Sequence, residues 1–208
     1  MTEQRAQPVV TSTTALTRAE LQSYTGRSIP DVLGEHPRLL IVGVNPGLRS
    51  AAVQAPFGRR GNRFYPALFQ AGIVDRLIDA SDGLAESDRA HLIERGVGII
   101  TLVEGATARA DELSRDQLTQ GAAVLRERVR TMKPTVVAML GVTSYRIAFA
   151  RPKAAVGRQA ETLAGAELWV VPNPSGLNAH ETVASLASAY REAAIAAGIE
   201  VSPAARVS

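Results

Sequence analysis

The chain is 208 residues long, 46% apolar and 21% charged, proportions that suit one ordinary globular domain with a sizeable core. It has no cysteine, which excludes disulfides, thiolate zinc sites and iron–sulfur clusters, and its three scattered histidines (His36, His91, His180) argue against a histidine metal site. The net charge of +3 hides a pattern: residues 1–74 carry +4, 75–116 carry −5 and 117–208 carry +4, and 21 of the 23 basic residues are arginine, a bias that suits planar recognition of phosphate.

In chain order, residues 1–14 are polar and β-branched and are expected to form a disordered tail ahead of a single domain over 15–200. "LTRAELQSYTG" has helical spacing up to Gly26. "RLLIVGV" (38–44) is a continuous apolar run of strand length, as expected for a strand buried on both faces. It breaks on Asn45-Pro46-Gly47, after which Arg49, Arg59, Arg60 and Arg63 follow with no acid among them. "NRFYPALFQAGI" predicts a helix with Pro66 in its first turn, and "SDGLAESDRAHLIERG" an acidic surface helix. "VGIITLV" (97–103) predicts a second buried strand. The segment from Ser114 opens on the capping-box pattern Ser114-x-x-Gln117 and predicts a helix that stops before Pro134. "TVVAMLG" (135–141) predicts a third strand, "VTSYRIAFA" a short helix, and 167–171 a fourth strand ending on Pro172-Asn173-Pro174-Ser175-Gly176. A long helix closes at Gly198, and residues 201–208 are expected to be a loose tail.

Strands alternating with helices imply an α/β fold, a three-layer α/β/α sandwich around a mostly parallel sheet of four to five strands. Ligands of such sheets sit beyond the C-terminal strand ends. Both Asn-Pro loops fall there, so Asn45 and Asn173 are expected across one cleft.

With Gly43-Val44-Asn45-Pro46-Gly47-Leu48, Pro56-Phe57, Asn62-Arg63-Phe64 and Asn173-Pro174-Ser175-Gly176-Leu177, the chain resembles the mismatch-specific uracil/thymine DNA glycosylases of the uracil-DNA glycosylase superfamily. Such enzymes hydrolyse a base from deoxyribose through a sugar with oxocarbenium character while negative charge collects on the departing base. The target must be flipped out of the duplex, which calls for a water positioner, a base pocket and a wedge. Asn45 is the expected water positioner, since its amide oxygen can accept a hydrogen bond from water and aim it at the sugar carbon; its plainer role is to cap the turn. The resemblance implies that Phe57 stacks on the base, that the Val44 and Phe57 N–H groups meet its carbonyl edge, and that Ser50 lies near pyrimidine C5. Asn62 supports either the loop or the base.

Leu177 is the expected wedge, on a tip flanked by Ser175, Gly176 and Asn178, where an apolar side chain can insert between base pairs. Asn178 and Ala179 follow it where some relatives carry a basic residue, which loosens the expected reading of guanine. Asn173, which the resemblance places among the base-binding residues, stands where the fast uracil-specific branch has histidine, so a slower enzyme is expected. Arg49, Arg59, Arg60 and Arg63 are candidates for phosphate contact, Arg49 and Arg63 foremost. Asp111, in the loop after the second strand, is a candidate to activate water or steady the positive sugar, with Glu104 on the sheet's polar border; a solvated loop acid is the plainer reading.

These readings converge on a monofunctional glycosylase acting on uracil, best opposite guanine, in double-stranded DNA. It would use no metal and no cofactor, and a monomer is expected. No lysine lies in the motifs to form a Schiff base, and only Lys133 and Lys153 exist. A non-catalytic lesion-binding protein is the alternative; a nucleotide-binding α/β protein lacks both the Walker spacing and the GxGxxG fingerprint. No apolar run reaches the roughly 20 residues of a membrane helix. With no apolar signal region at the N-terminus, a cytoplasmic, bacterial-type location is expected, nucleoid-associated through DNA.

Overall fold

A computed structural model of the chain describes residues 16–175 and 181–202. The expected tail at 1–14, the wedge Leu177 with Gly176 and Asn178, and His180 lie outside the described residues.

Four apolar runs form the parallel core of one sheet: β1 (Leu39–Gly43), β2 (Val97–Thr101), β3 (Val136–Leu140) and β5 (Ala166–Val171). A fifth strand, β4 (Gly157–Leu163), pairs antiparallel with β5, giving the order β2-β1-β3-β5-β4. Every residue of β1 and β3 is buried, and side-chain alternation splits them between two half-cores. Ile41, Ala138 and Leu140 face α3 (Phe64–Gln70) and α7 (Val183–Ala196), joined by Leu92 of α4 (Glu86–Glu94). Leu40, Val42, Val137 and Met139 face α5 (Arg115–Met132) and α6 (Val142–Ala148). Each Leu, Ile, Val or Met side chain among them contributes about 1.5–3 kcal/mol by leaving water. The expected α/β sandwich with a mostly parallel sheet is what forms.

Helix boundaries follow local chemistry. The Ser114 side chain accepts from the Gln117 N–H while Gln117 returns a bond to the Ser114 N–H, and α5 ends with Lys133 in the left-handed region before Pro134. Three elements depart from expectation. The first helix, α1 (Arg18–Gln22), is shorter than the spacing suggested and runs into hydrogen-bonded turns up to Arg27. The six residues after Asn45-Pro46-Gly47 form a short helix, α2 (Leu48–Val53), where a loop was expected. Ser202 is part of the body and not of a loose tail, because its N–H donates to the Gly72 carbonyl at 3.0 Å and its own carbonyl accepts from Arg191 at 2.7 Å. No helix among the described residues is long and apolar enough to cross a membrane.

Candidate active site

A cleft of about 1450 Å³ opens at the C-terminal ends of β1, β2, β3 and β5. That exceeds the roughly 300–1,000 Å³ of a typical small-molecule pocket and leaves room for a nucleotide with its flanking backbone. Val44, Asn45, Ser50, Phe57, Asp111, Asn173 and Ser175 all line it, so the two motifs meet in one place.

The loop after β1 is zipped to the loop after β2. Val103 N–H donates to Val44 O (2.9 Å), Thr107 N–H donates to Pro46 O (3.1 Å), and Gly47 bridges to Thr107. Within this zipper the Asn45 amide has one orientation. The Thr107 hydroxyl donates to the Arg109 carbonyl at 2.8 Å, so its oxygen faces Asn45 as an acceptor. The amide nitrogen must therefore face it: Asn45 Nδ2 donates to Thr107 Oγ1 (2.8 Å) and to Gly105 O (3.0 Å). Among the described residues Asn45 Oδ1 has no donor, and it stands as an acceptor on a half-buried side chain in the cleft wall. Thr107 and Gly105 were not singled out from sequence, where nothing marks them within "EGATARADELS".

Phe57 stacks on the fully buried Phe64 with ring centroids 3.8 Å apart and planes 23° from parallel. Its ring tip lies over β1 at Gly43, where an added Cβ would sit 3.6 Å from Phe57 Cζ. Ser50 is buried, and its Oγ accepts the Gly58 N–H at 3.1 Å. Its hydroxyl thus steadies the Phe57 loop in addition to lining the cleft, where a position near pyrimidine C5 was expected. Asn62 lines the cleft, and its Oδ1 accepts the Phe64 N–H at 2.9 Å at the start of α3, which supports the loop. Neither Val44 nor Phe57 N–H has a backbone acceptor among the described residues.

Across the cleft, Asn173 Oδ1 accepts the Ser175 N–H (3.0 Å), and the Asn173 side chain packs against Gly141 at the end of β3. The buried hydroxyl of Tyr190 donates to Pro172 O at 3.0 Å, holding the start of this loop. Arg63 was expected on a phosphate. In the free protein its guanidinium donates to the carbonyls of Pro174 (3.4 Å), Ser175 and Glu181, on either side of residues 176–180. A half-buried arginine fork is well suited to gathering several carbonyls at once, and it joins α3 to the second motif.

Arg49 is likewise committed within the protein, donating at 3.0 Å both to Ser81 O and to Asp82, which also pairs with Arg60 at 3.4 Å. Arg59 is exposed on the rim of the cleft; its carbonyl accepts the Asn62 N–H at 2.9 Å, and its guanidinium has no hydrogen bond or ion pair among the described residues. Asp111 sits in a 3₁₀ turn (Ala110–Glu112), 60% exposed, with both carboxylate oxygens on the Arg109 guanidinium. Those hydrogen bonds hold its pKa below the ordinary carboxylate value. Arginine partnership of this kind weakens a carboxylate as a base, against the expected role in activating water. Glu104 is exposed, in keeping with a place on the border of the sheet. Among the described residues no group of three or more His, Asp or Glu side chains is close enough to hold a metal ion.

The family model of the Uracil DNA glycosylase superfamily matches residues 30–197, most of the chain and both motif loops. The chain belongs to that superfamily. Membership points to DNA glycosylase activity, a hydrolase step in base excision repair, with uracil-containing DNA as substrate. Among solved structures, the chain is similar to a candidate uracil DNA glycosylase from Methanosarcina acetivorans determined by solution NMR, with a TM-score of 0.56 and 18% identity over 80% of this chain and 97% of that one. At that identity the likeness speaks to the fold.

Proposed function

We propose that the protein is a monofunctional, mismatch-directed uracil-DNA glycosylase, which excises uracil from duplex DNA, best opposite guanine, and leaves an abasic site with the strand intact. It is read as a monomer of the mismatch-specific uracil/thymine branch. The observation that carries the reading is the fixed Asn45 amide, whose nitrogen is held by Thr107 and Gly105 while its oxygen remains an acceptor in a cleft wall shared with Phe57.

In this reading a uracil nucleotide is flipped into the cleft and stacks on Phe57. Water donates one hydrogen to Asn45 Oδ1, which aims a lone pair at C1′. The C1′–N1 bond breaks as the water oxygen bonds to C1′, and the electron pair leaves with the base. The Val44 and Phe57 N–H groups stabilise the charge gathering on the base oxygens; one such donor is typically worth about 3 kcal/mol in the transition state. The water's remaining proton passes to solvent. A neutral amide orients water without deprotonating it, so turnover is slow and favours good leaving groups, uracil over thymine. Asp111, held ionised by Arg109, contributes charge near the sugar at most and takes no proton.

The test is single-turnover base release from duplexes carrying U opposite G, U opposite A and T opposite G, and from single-stranded U. Release from U·G faster than from U·A supports mismatch direction. Equal release from every uracil context leaves a uracil glycosylase without it, and binding without release favours a lesion-binding protein.

A further inference from the structure

Phe57 is held in a conformation that a bulky side chain avoids, and the groups that hold it point to a residue outside the cleft. Its φ of 57° lies in the left-handed region, which costs an L-residue with a large side chain and persists only where the surroundings enforce it. Three features enforce it. On one side, Pro56, whose own φ is fixed by its ring, presents its carbonyl to the Tyr65 hydroxyl at 3.1 Å. On the other, the Gly58 N–H donates to Ser50 Oγ at 3.1 Å. Residue 58 must be glycine: an added Cβ would lie 2.5 Å from Val53 Cγ2 and 2.9 Å from the Ala80 carbonyl, with no room to yield.

We infer that Tyr65 is a positioning residue for the base platform, fixing the Phe57 ring through the Pro56 carbonyl; this rests on reading the cleft as a uracil pocket. Tyr65 is 3% exposed and is not among the residues that line the cleft, so it acts through Phe57 and not on the substrate. Phenylalanine would fill the same core space, where the ring already meets Phe64 edge-on at 5.1 Å. What the hydroxyl adds is one donor, and burial, by raising its pKa, keeps it protonated and donating. That donor is aimed at the residue preceding the platform. A platform fixed before the base arrives loses less entropy on binding than one that must be ordered by it.

The experiment compares two duplexes, one with 2′-fluoro-2′-deoxyuridine opposite guanine, which resists hydrolysis, and one with a tetrahydrofuran abasic analogue opposite guanine. The ratio of their Kd values isolates what the flipped base gains from the pocket. Tyr65→Phe is expected to lower that preference about fivefold, the size of one lost hydrogen bond, with affinity for the abasic analogue unchanged. In a Phe57→Ala background, Tyr65→Phe is expected to have no further effect, because the route through Phe57 is already gone. Ser50→Ala, which removes the opposite brace, is expected to lower the same preference and serves if Tyr65→Phe folds poorly. An unchanged preference in Tyr65→Phe overturns the inference. So does an equal weakening of both duplexes together with a lower Tm, which is the mark of a merely structural tyrosine. A wild-type protein that neither prefers the uracil duplex nor releases uracil overturns the pocket reading itself, an outcome visible before any variant is made.

Discussion

The two loops that meet at the cleft are held in different ways. The loop after β1 is fastened along its length: backbone bonds tie 44–47 to the loop after β2, side chains fix the Asn45 amide, and Ser50, Tyr65 and Gly58 pin the Phe57 turn. The described ends of the loop after β5, residues 172–175 and 181, are held by side chains. Tyr190 holds Pro172, Asn173 holds Ser175, and Arg63 gathers Pro174, Ser175 and Glu181. A water positioner and a stacking platform must be right to a fraction of an ångström before the substrate arrives, whereas the wedge proposed for the second loop acts on the base stack. The first loop should therefore govern the chemical step and the second the handling of the duplex.

The sharpest break in that division is at Asn45. Asn45→Ala is expected to lower single-turnover excision by at least about 100-fold while Kd for uracil duplex changes little, the pattern of a group that acts in the transition state. A comparable loss of affinity would instead make Asn45 a binding residue. Thr107→Val, nearly isosteric, removes the acceptor that orients the amide but leaves the amide itself. About a tenfold slower excision, again without a change in Kd, is the expected result for the loss of one orienting hydrogen bond.

The second loop answers to Arg63. Arg63→Ala leaves the carbonyls of Pro174, Ser175 and Glu181 without their shared donor. It is expected to slow excision from U·G duplex about fivefold more than from single-stranded U, with a modest drop in Tm. Equal slowing on both substrates would show that the two loops are not separable in function.

How far the sequence reveals this arrangement depends on what each residue's type implies. The four parallel strands are legible as continuous apolar runs, and with them the place of both Asn-Pro loops. β4 is not, because Gly157–Leu163 is an edge strand of alternating polar residues that lacks the apolar signal. Its pairing comes from a tight turn at Ala164 and Gly165, both at positive φ. α2 is hidden because six residues are too few to show a period. Asn45 and Phe57 can be proposed for the cleft because they directly follow a strand or accompany a recognisable motif. For Arg49 and Arg63 the sequence shows a charge but not the carbonyls and the aspartate that fold onto it. Thr107, Tyr65 and Tyr190 escape notice for the opposite reason: a loop threonine and two core tyrosines look ordinary until the partner of each hydroxyl is known.

The smallest effect is expected at Asp111, and it sharpens the comparison from outside both loops. Its carboxylate lies on the cleft wall but is bound by Arg109, whose hydrogen bonds lower its pKa. A depressed carboxylate stays ionised through neutral and mildly acidic pH and takes up a proton only below its ordinary range near 3.8. Asp111 should thus give excision no acid limb between pH 5 and 8, and Asp111→Asn is expected to change the rate less than about twofold, within what a screened surface charge contributes. The check is single-turnover release from U·G duplex across that range for wild type and variant. Two flat, nearly superimposed profiles assign the chemistry to Asn45 and its brace. A wild-type limb that vanishes in Asp111→Asn would mean that the Arg109 pair opens when DNA binds, and that the carboxylate then takes a proton which the geometry of the free protein withholds from it.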